Sequence, residues 1–495
     1  MVDPGLAMRA LIVLHRWLGV AFCLLFAMWF ASGIVMHFVP YPAFTAADRL
    51  AGRAPLDLAA VGAGPAAALV AAHLDGVTRV RLLQWPNGPV YLVANGARSV
   101  ALRAADLSQA RIVSTEGALT VAMDYAARRH WDASAAAIAA IADADQWTLP
   151  GEYDHARPFY RIALGDAAGT ELYVSAPTGE IALVTTRRQR AWNYAGSGAH
   201  WLYLTALRRH PAAWSRLVWW LSLLALVGAS AGAVVGTLRL GVGAGRLASL
   251  NRGWQALHHW LGFCCMVFVL TWIFSGFLSM DDGLLFSTGR PSAAEAAAIA
   301  GGPDWSAVPG DEARHLDPQT VEAEWFAFGG RIWRRERDAS DAQRLMLAGA
   351  AEAAMPPRAF ISADTIDAVA PRLAQDCAPA VAVAKGDSYA SLPSVAGAPV
   401  YRVVCGDDWY DIDASNGSLL EKLDSSRRAY RWLFGGLHKL DFPALAARPS
   451  LHSTAVVGLC LLGFVFSLTG VVIAWRRIAP PLRRAARRLN RHPAD

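Results

Sequence analysis

The stretch Leu257–Met280, LHHWLGFCCMVFVLTWIFSGFLSM, decides how the rest of the chain is read. It repeats, with drift and without a gap, the stretch Leu14–His37, LHRWLGVAFCLLFAMWFASGIVMH. His15 falls on His258, Trp17 on Trp260, Gly19 on Gly262, Ser32 on Ser275 and Gly33 on Gly276. Each is an apolar run of the roughly 20 residues that a bilayer-crossing helix requires. Each also carries a histidine in its first turn.

Working outward, apolar runs at Leu11–Phe38, Leu217–Leu238, Leu257–Met280 and Val456–Trp475 predict four spanning helices. Hydrophobic residues make up 54% of the chain and charged residues 17%, a balance that suits a polytopic membrane protein better than a soluble enzyme. The first run is too long, and too poor in a cleavage site, for a removed signal peptide. Arg9 and Arg16 precede the first span, and Arg239, Arg246 and Arg252 fill the short second loop. Arg476, Arg477, Arg483, Arg484, Arg487, Arg488 and Arg491 follow the last span. The positive-inside rule then sets both termini and the short loop in the cytoplasm, with segments 40–215 and 281–450 outside. The formal charge of +6 sits mostly in that tail and speaks for lipid contact, not nucleic acid.

The return helices repeat as well. Ala199-His200-Trp-Leu-Tyr matches Leu437-His438-Lys-Leu-Asp, and Pro211, Gly232 and Arg239 match Pro449, Gly470 and Arg477 at one constant offset. The predicted fold is a four-helix membrane protein with a two-fold internal repeat of the parallel kind and two periplasmic α+β domains. Its parts are 1–39 (terminus and first span), 40–215 (first outer domain), 216–280 (second and third spans), 281–450 (second outer domain) and 451–495 (fourth span and tail). In the first outer segment, Gly64–Leu74 and Leu119–His130 read as helices. Val77–Val93 reads as strand around an Asn87-Gly88 turn, and Phe159–Leu164 and Glu171–Ser175 read as a further strand pair. Gly283–Gly310 and Ala339–Pro357 read as connectors. Cys377 and Cys405 are the only cysteines outside the spans, and an oxidising periplasm would pair them.

Histidines carry the candidate chemistry. Ionisable groups at membrane depth are expensive and are functional candidates by default. Imidazole is a common axial ligand of haem iron, and bundles build such sites from facing helices. His15 and His258 are equivalent under the repeat, so they can face each other across its axis at the cytoplasmic end. At the outer end His37 has Met280 as its repeat mate and His452 has Trp214, so a site there would survive in one half only. His200 and His438 form the rival outer pair. No CxxCH motif is present, so any haem would be b-type and not covalently attached. Walker, GxGxxG, GxSxG and HExxH motifs are absent too.

At this point the chain resembles the PepSY-associated transmembrane helix family. The likeness rests on His15–Gly19 and His258–Gly262, on Ser32-Gly33 and Ser275-Gly276, and on Gly198–His200 and Gly436–His438. The strand–turn–strand units closing on Thr178-Gly179-Glu180 and Asn416-Gly417 resemble PepSY modules. The resemblance implies an iron-uptake protein similar to ferric-siderophore reductases with two b-type haems. One haem would be held by His15 and His258 and the other by His37 and His452, or by His200 and His438. Electrons would pass from a cytoplasmic donor to a ferric siderophore or similar chelate in the periplasm. Two rival readings are a regulator or scaffold built on PepSY modules, which needs no cofactor, and a metal or haem transporter component, which needs polar span middles.

Overall fold

The computed structural model describes residues 4–95, 98–112, 114–149, 151–243, 246–249, 251–281, 285–349 and 356–489. The chain divides into a helical unit (1–41, 191–286 and 429–495) and a sheet unit (42–190 and 287–428). Arg491 of the basic tail lies outside the described residues.

Four helices of the helical unit, Pro4–Phe38, Pro211–Leu238, Trp254–Leu278 and Pro449–Leu489, are long and apolar enough to cross a membrane. They close a ring in which the first and third helices each pack against both the second and the fourth. Phe22, Phe30, Cys265, Val269 and Ile273 fill its centre. The second and third helices are joined by a hairpin, Leu240–Gly243 with Arg246–Ser249. The return helices are preceded by short π-helical turns at Tyr194–Gly198 and Arg431–Gly436. Each turn leads to a histidine, then to a leucine in the left-handed region, Leu202 at φ 51° and Leu440 at φ 54°. That conformation costs an L-residue about 1–2 kcal/mol, so packing has to hold each bend in place.

The sheet unit corrects one expectation. Two separate outer domains are expected from the sequence, but the segments on either side of the membrane hairpin build one central sheet together. Its seven antiparallel strands run in the order Gln343–Leu347, Arg331–Arg337, Glu322–Phe328, Arg79–Trp85, Gly88–Ala94, Ser99–Arg103, Gln109–Ala110. The seam is the pairing of Arg79–Leu83 with Glu322–Phe326. One face is apolar: Val80, Leu82, Tyr91, Ala323 and Trp325 pack with Val61 and Ala68. The other face carries Arg79, Arg81, Glu322, Glu324, Arg335 and Arg337, held side by side by strand register.

Each half adds a four-stranded sheet of its own, Ala137–Thr185 in the first half and Val381–Leu423 in the second. Glu180, at a turn of the first, bonds Arg81 (2.9 Å) and Arg53. Ser418, at the matching turn of the second, accepts from Arg79 at 2.9 Å. Cys377 and Cys405 form a disulfide. The two stretches expected to be connectors hold a helix, Ala293–Ala300, and the strand Gln343–Leu347. The helix is fixed by a capping box in which Ser292 accepts from the Glu295 amide and the Glu295 carboxylate accepts from the Ser292 amide.

Candidate functional site

The first and third helices bring His15 and His258 together across the ring, with ring centroids 6.4 Å apart. What stands behind each imidazole decides its tautomer. Gly228 O, 3.0 Å from His15 Nδ1, can only accept, so Nδ1 carries the hydrogen. Behind His258, Thr469 gives its own hydrogen to Phe466 O (2.6 Å) and so accepts from His258 Nδ1 at 2.7 Å. Both rings therefore present a bare Nε2 lone pair. Phe466 stacks on His258 at 4.7 Å and fixes its plane. A cavity of about 350 Å³ surrounds the pair. Gly19, Gly232 and Gly262 give its walls little bulk, and Arg16, Arg239 and Arg477 add cationic groups to the lining.

His200 and His438 meet in the same manner, their centroids 6.1 Å apart. His200 Nδ1 lies 3.1 Å from both Trp29 O and Ser32 Oγ of the first helix. His438 Nδ1 lies 3.2 Å from Trp272 O and 3.1 Å from Ser275 Oγ of the third helix. Ser32 and Ser275 donate to helix carbonyls, which leaves their oxygens to accept from the imidazoles. Again both Nδ1 atoms carry hydrogen, and Nε2 is free. Among the described residues none of these four Nε2 atoms has a hydrogen-bond partner. From His15 to Ser32 the first helix rises about 25 Å at ~1.5 Å per residue, so the two pairs sit at opposite ends of the bundle. Phe30, Phe268 and Trp272 lie between them in mutual contact, with centroids 6.0 and 6.3 Å from Phe30.

The third pair differs. His37 and His452 stand 5.6 Å apart, but both Nε2 atoms are engaged. His37 Nε2 bonds Ser453 Oγ at 2.9 Å, and His452 Nε2 donates to Lys439 O at 2.8 Å. His259 is a satisfied structural residue: it is buried, donates through Nε2 to Gly236 O (2.8 Å) and accepts at Nδ1 from Ser249 (2.7 Å). Among the described residues no cluster of three or more His, Cys, Asp or Glu side chains forms a metal site.

Two imidazoles trans on one metal ion, each bonded at about 2 Å with its centroid roughly 1 Å further back, stand roughly 6 Å apart. The 6.4 and 6.1 Å pairs meet that spacing, and each ring is oriented by an oxygen that accepts from its Nδ1, as in metal-bound imidazoles. The residues present therefore fit a bis-histidine haem at His15 and His258, where the cavity lies, and the spacing and ring anchoring of His200 and His438 suit the same coordination. Sequence reasoning missed Thr469 and the Gly228 carbonyl, because a backbone acceptor and a lone threonine in an apolar helix carry no motif. A comparison with curated proteins finds no match to the chain. A family model does match, across residues 12–477, and the chain belongs to that family, the PepSY-associated TM region.

Proposed function

We propose that the protein is an inner-membrane electron carrier with two b-type haems that reduces chelated ferric iron, such as a ferric siderophore, on the periplasmic side. The observation that carries this reading is the pair of facing imidazole couples, each with Nδ1–H anchored and Nε2 free. His15 and His258 would hold the haem at the cytoplasmic end. His200 and His438 would hold the outer one, in preference to His37 and His452, whose Nε2 atoms are already bonded. Bound at these pairs, haem iron would supply one-electron redox chemistry at each end of the bundle. Arg16, Arg239 and Arg477, lining the cavity of the first pair, provide cations suited to the carboxylates of a haem.

The same histidine contacts recur at positions matched by sequence, His200 with Ser32 and His438 with Ser275, which supports descent of the two halves from one duplicated unit. Arginines at the ends of the first and fourth spans and in the short loop support cytoplasmic termini, and hence a periplasmic sheet unit. Reduction serves release because ferrous iron is a softer, poorer match for hard oxygen chelators.

The test is a reduced-minus-oxidised optical spectrum of the detergent-purified protein with a pyridine haemochrome assay. Two b-type haems per chain are expected, falling to about one in His258→Ala and to about one in His438→Ala. No haem after expression with adequate haem supply would end the reading. Unchanged haem in His438→Ala, with loss in His37→Ala, would move the outer site to the third pair.

A further inference from the structure

We propose that His37 and His452 form a binding site for a first-row divalent cation at the end of the helical unit that also holds His200 and His438. The argument starts from what the same position does in the other half of the chain. Sequence matching sets Trp214 against His452 and Met280 against His37. Trp214 Nε1 donates to Trp201 O at 3.0 Å, and His452 Nε2 donates to Lys439 O at 2.8 Å. These are one bond made twice, since Trp201 and Lys439 each follow the histidine of an equivalent segment. A tryptophan satisfies that carbonyl as well as a histidine does, so the structural task needs only an N–H donor.

Histidine adds a second ring nitrogen. Because the Lys439 carbonyl can only accept, His452 carries its hydrogen on Nε2 and keeps a lone pair on Nδ1. His37 Nε2 lies 2.9 Å from Ser453 Oγ, a hydroxyl that can accept as well as donate, and His37 reaches the same state in the tautomer that carries its hydrogen on Nε2. Methionine at the matching position offers no such bond. The two rings stand 5.6 Å apart with 50° between their planes, a spacing within reach of one bridging ion and short of that of a trans pair. Each ligand then has its opposite nitrogen tied to a protein oxygen, Ser453 Oγ or Lys439 O, the usual support of a metal-bound imidazole. The Lys439 ammonium lies over the Phe434 ring at 5.2 Å. Two neutral imidazoles select borderline cations such as Zn²⁺, Ni²⁺ and Fe²⁺, with water completing the shell. That the cation in the cell is ferrous iron rests on the reductase reading; the site itself does not.

The experiment uses full-length protein in detergent, freed of any affinity tag, stripped with chelator and carrying Cys264→Ser to remove the exposed thiol. Zn²⁺ and Ni²⁺ titrations by calorimetry are run beside a haem assay on each sample. One ion per chain is expected in this parent. The double variant His37→Met/His452→Trp, which copies the arrangement of the other half, should weaken binding at least tenfold with haem content unchanged. The single variant His452→Trp, which keeps the N–H donor, should do the same if the double variant folds poorly. Equal affinity in parent and variants, or no binding by the parent, overturns the site. Loss of haem in the variants also overturns it, because the pair would then be a haem ligand pair. A parent that binds the ion but never carries haem leaves the site standing and removes the reductase reading.

Discussion

At Gly232 a Cβ would stand 2.4 Å from His15 Cε1, whereas at Gly470 it would meet His258 Cε1 at 3.6 Å, ordinary contact. The two glycines match in the sequence, yet only the first is sterically obliged. Gly232→Ala should therefore push the His15 ring aside and cut haem content to about one per chain, while Gly470→Ala should keep both. Haemochrome assays on the two variants check this, and equal content in both would mean that His15 is no ligand. A second residue-scale difference lies behind the rings. His438 Nδ1 has both Trp272 O and Ser275 Oγ as acceptors, but among the described residues Thr469 Oγ1 alone bonds His258 Nδ1. Losing the hydrogen-bond partner behind a metal-bound imidazole typically costs about 10–100-fold in metal affinity. Thr469→Val should lower haem retention on dilution by about that factor, and Ser275→Ala by much less. The reverse order would place the orienting bond elsewhere.

At the scale of elements, the same turn docks twice on the central sheet. Gly179 (φ 61°) would bring a Cβ within 2.2 Å of Trp85, and Gly417 (φ 68°) within 2.4 Å of Phe328. Left-handed backbone costs about 1–2 kcal/mol and overpacking about 1–3 kcal/mol. Gly417→Ala should lower the unfolding temperature of the sheet unit by several degrees, read by limited proteolysis across a temperature series, and leave haem content alone. These turns were legible in the sequence as Thr178-Gly179-Glu180 and Asn416-Gly417, as were the four spanning helices and the Asn87-Gly88 hairpin. Apolar length and turn chemistry are local signals. The strands Glu322–Phe328 and Arg331–Arg337 were not legible, because EAEWFAF and RIWRRER place charges where alternation expects apolar side chains. Glu322, Glu324, Arg335 and Arg337 are buried and neutralise one another across strands, a fact of pairing that neither strand carries alone. The site divides the same way: six histidines stood out by position, but which of their ring nitrogens already have partners is visible only in the packed bundle.

For the molecule as a whole, the shared sheet means that neither outer segment is complete by itself. Expressed alone, residues 42–190 would lose Glu322, the partner of Arg81 at 2.6 Å, and leave Arg79–Trp85 as an open sheet edge. The charge layer at this seam also sets how the sheet unit responds to acid. Burial alone would raise the Glu180 carboxyl, but Arg81, Arg53 and Arg49 outweigh it and bring it down to about 2. Burial likewise opposes ionisation of Glu322, and Arg81, Arg49, Arg53 and Arg337 hold it well below the usual carboxylate range. Groups depressed in the folded state stabilise it fully above their unfolded value and lose that contribution as pH falls toward the folded one. The sheet unit should therefore be indifferent to pH between 7 and about 5 and weaken progressively from about 4.5 toward 2. Glu322→Gln removes one partner of a buried pair, a change that typically costs about 3–5 kcal/mol. It should lower stability at pH 7 and flatten the acid slope, whereas a substitution at exposed Asp154 should do neither. Hydrogen exchange at Arg79–Trp85 and Glu322–Phe328 across that pH range reads the seam directly. Protection that rises as pH falls below 4.5, after correction for the intrinsic exchange rate, would contradict the assignment of these carboxylates as ionised structural anions.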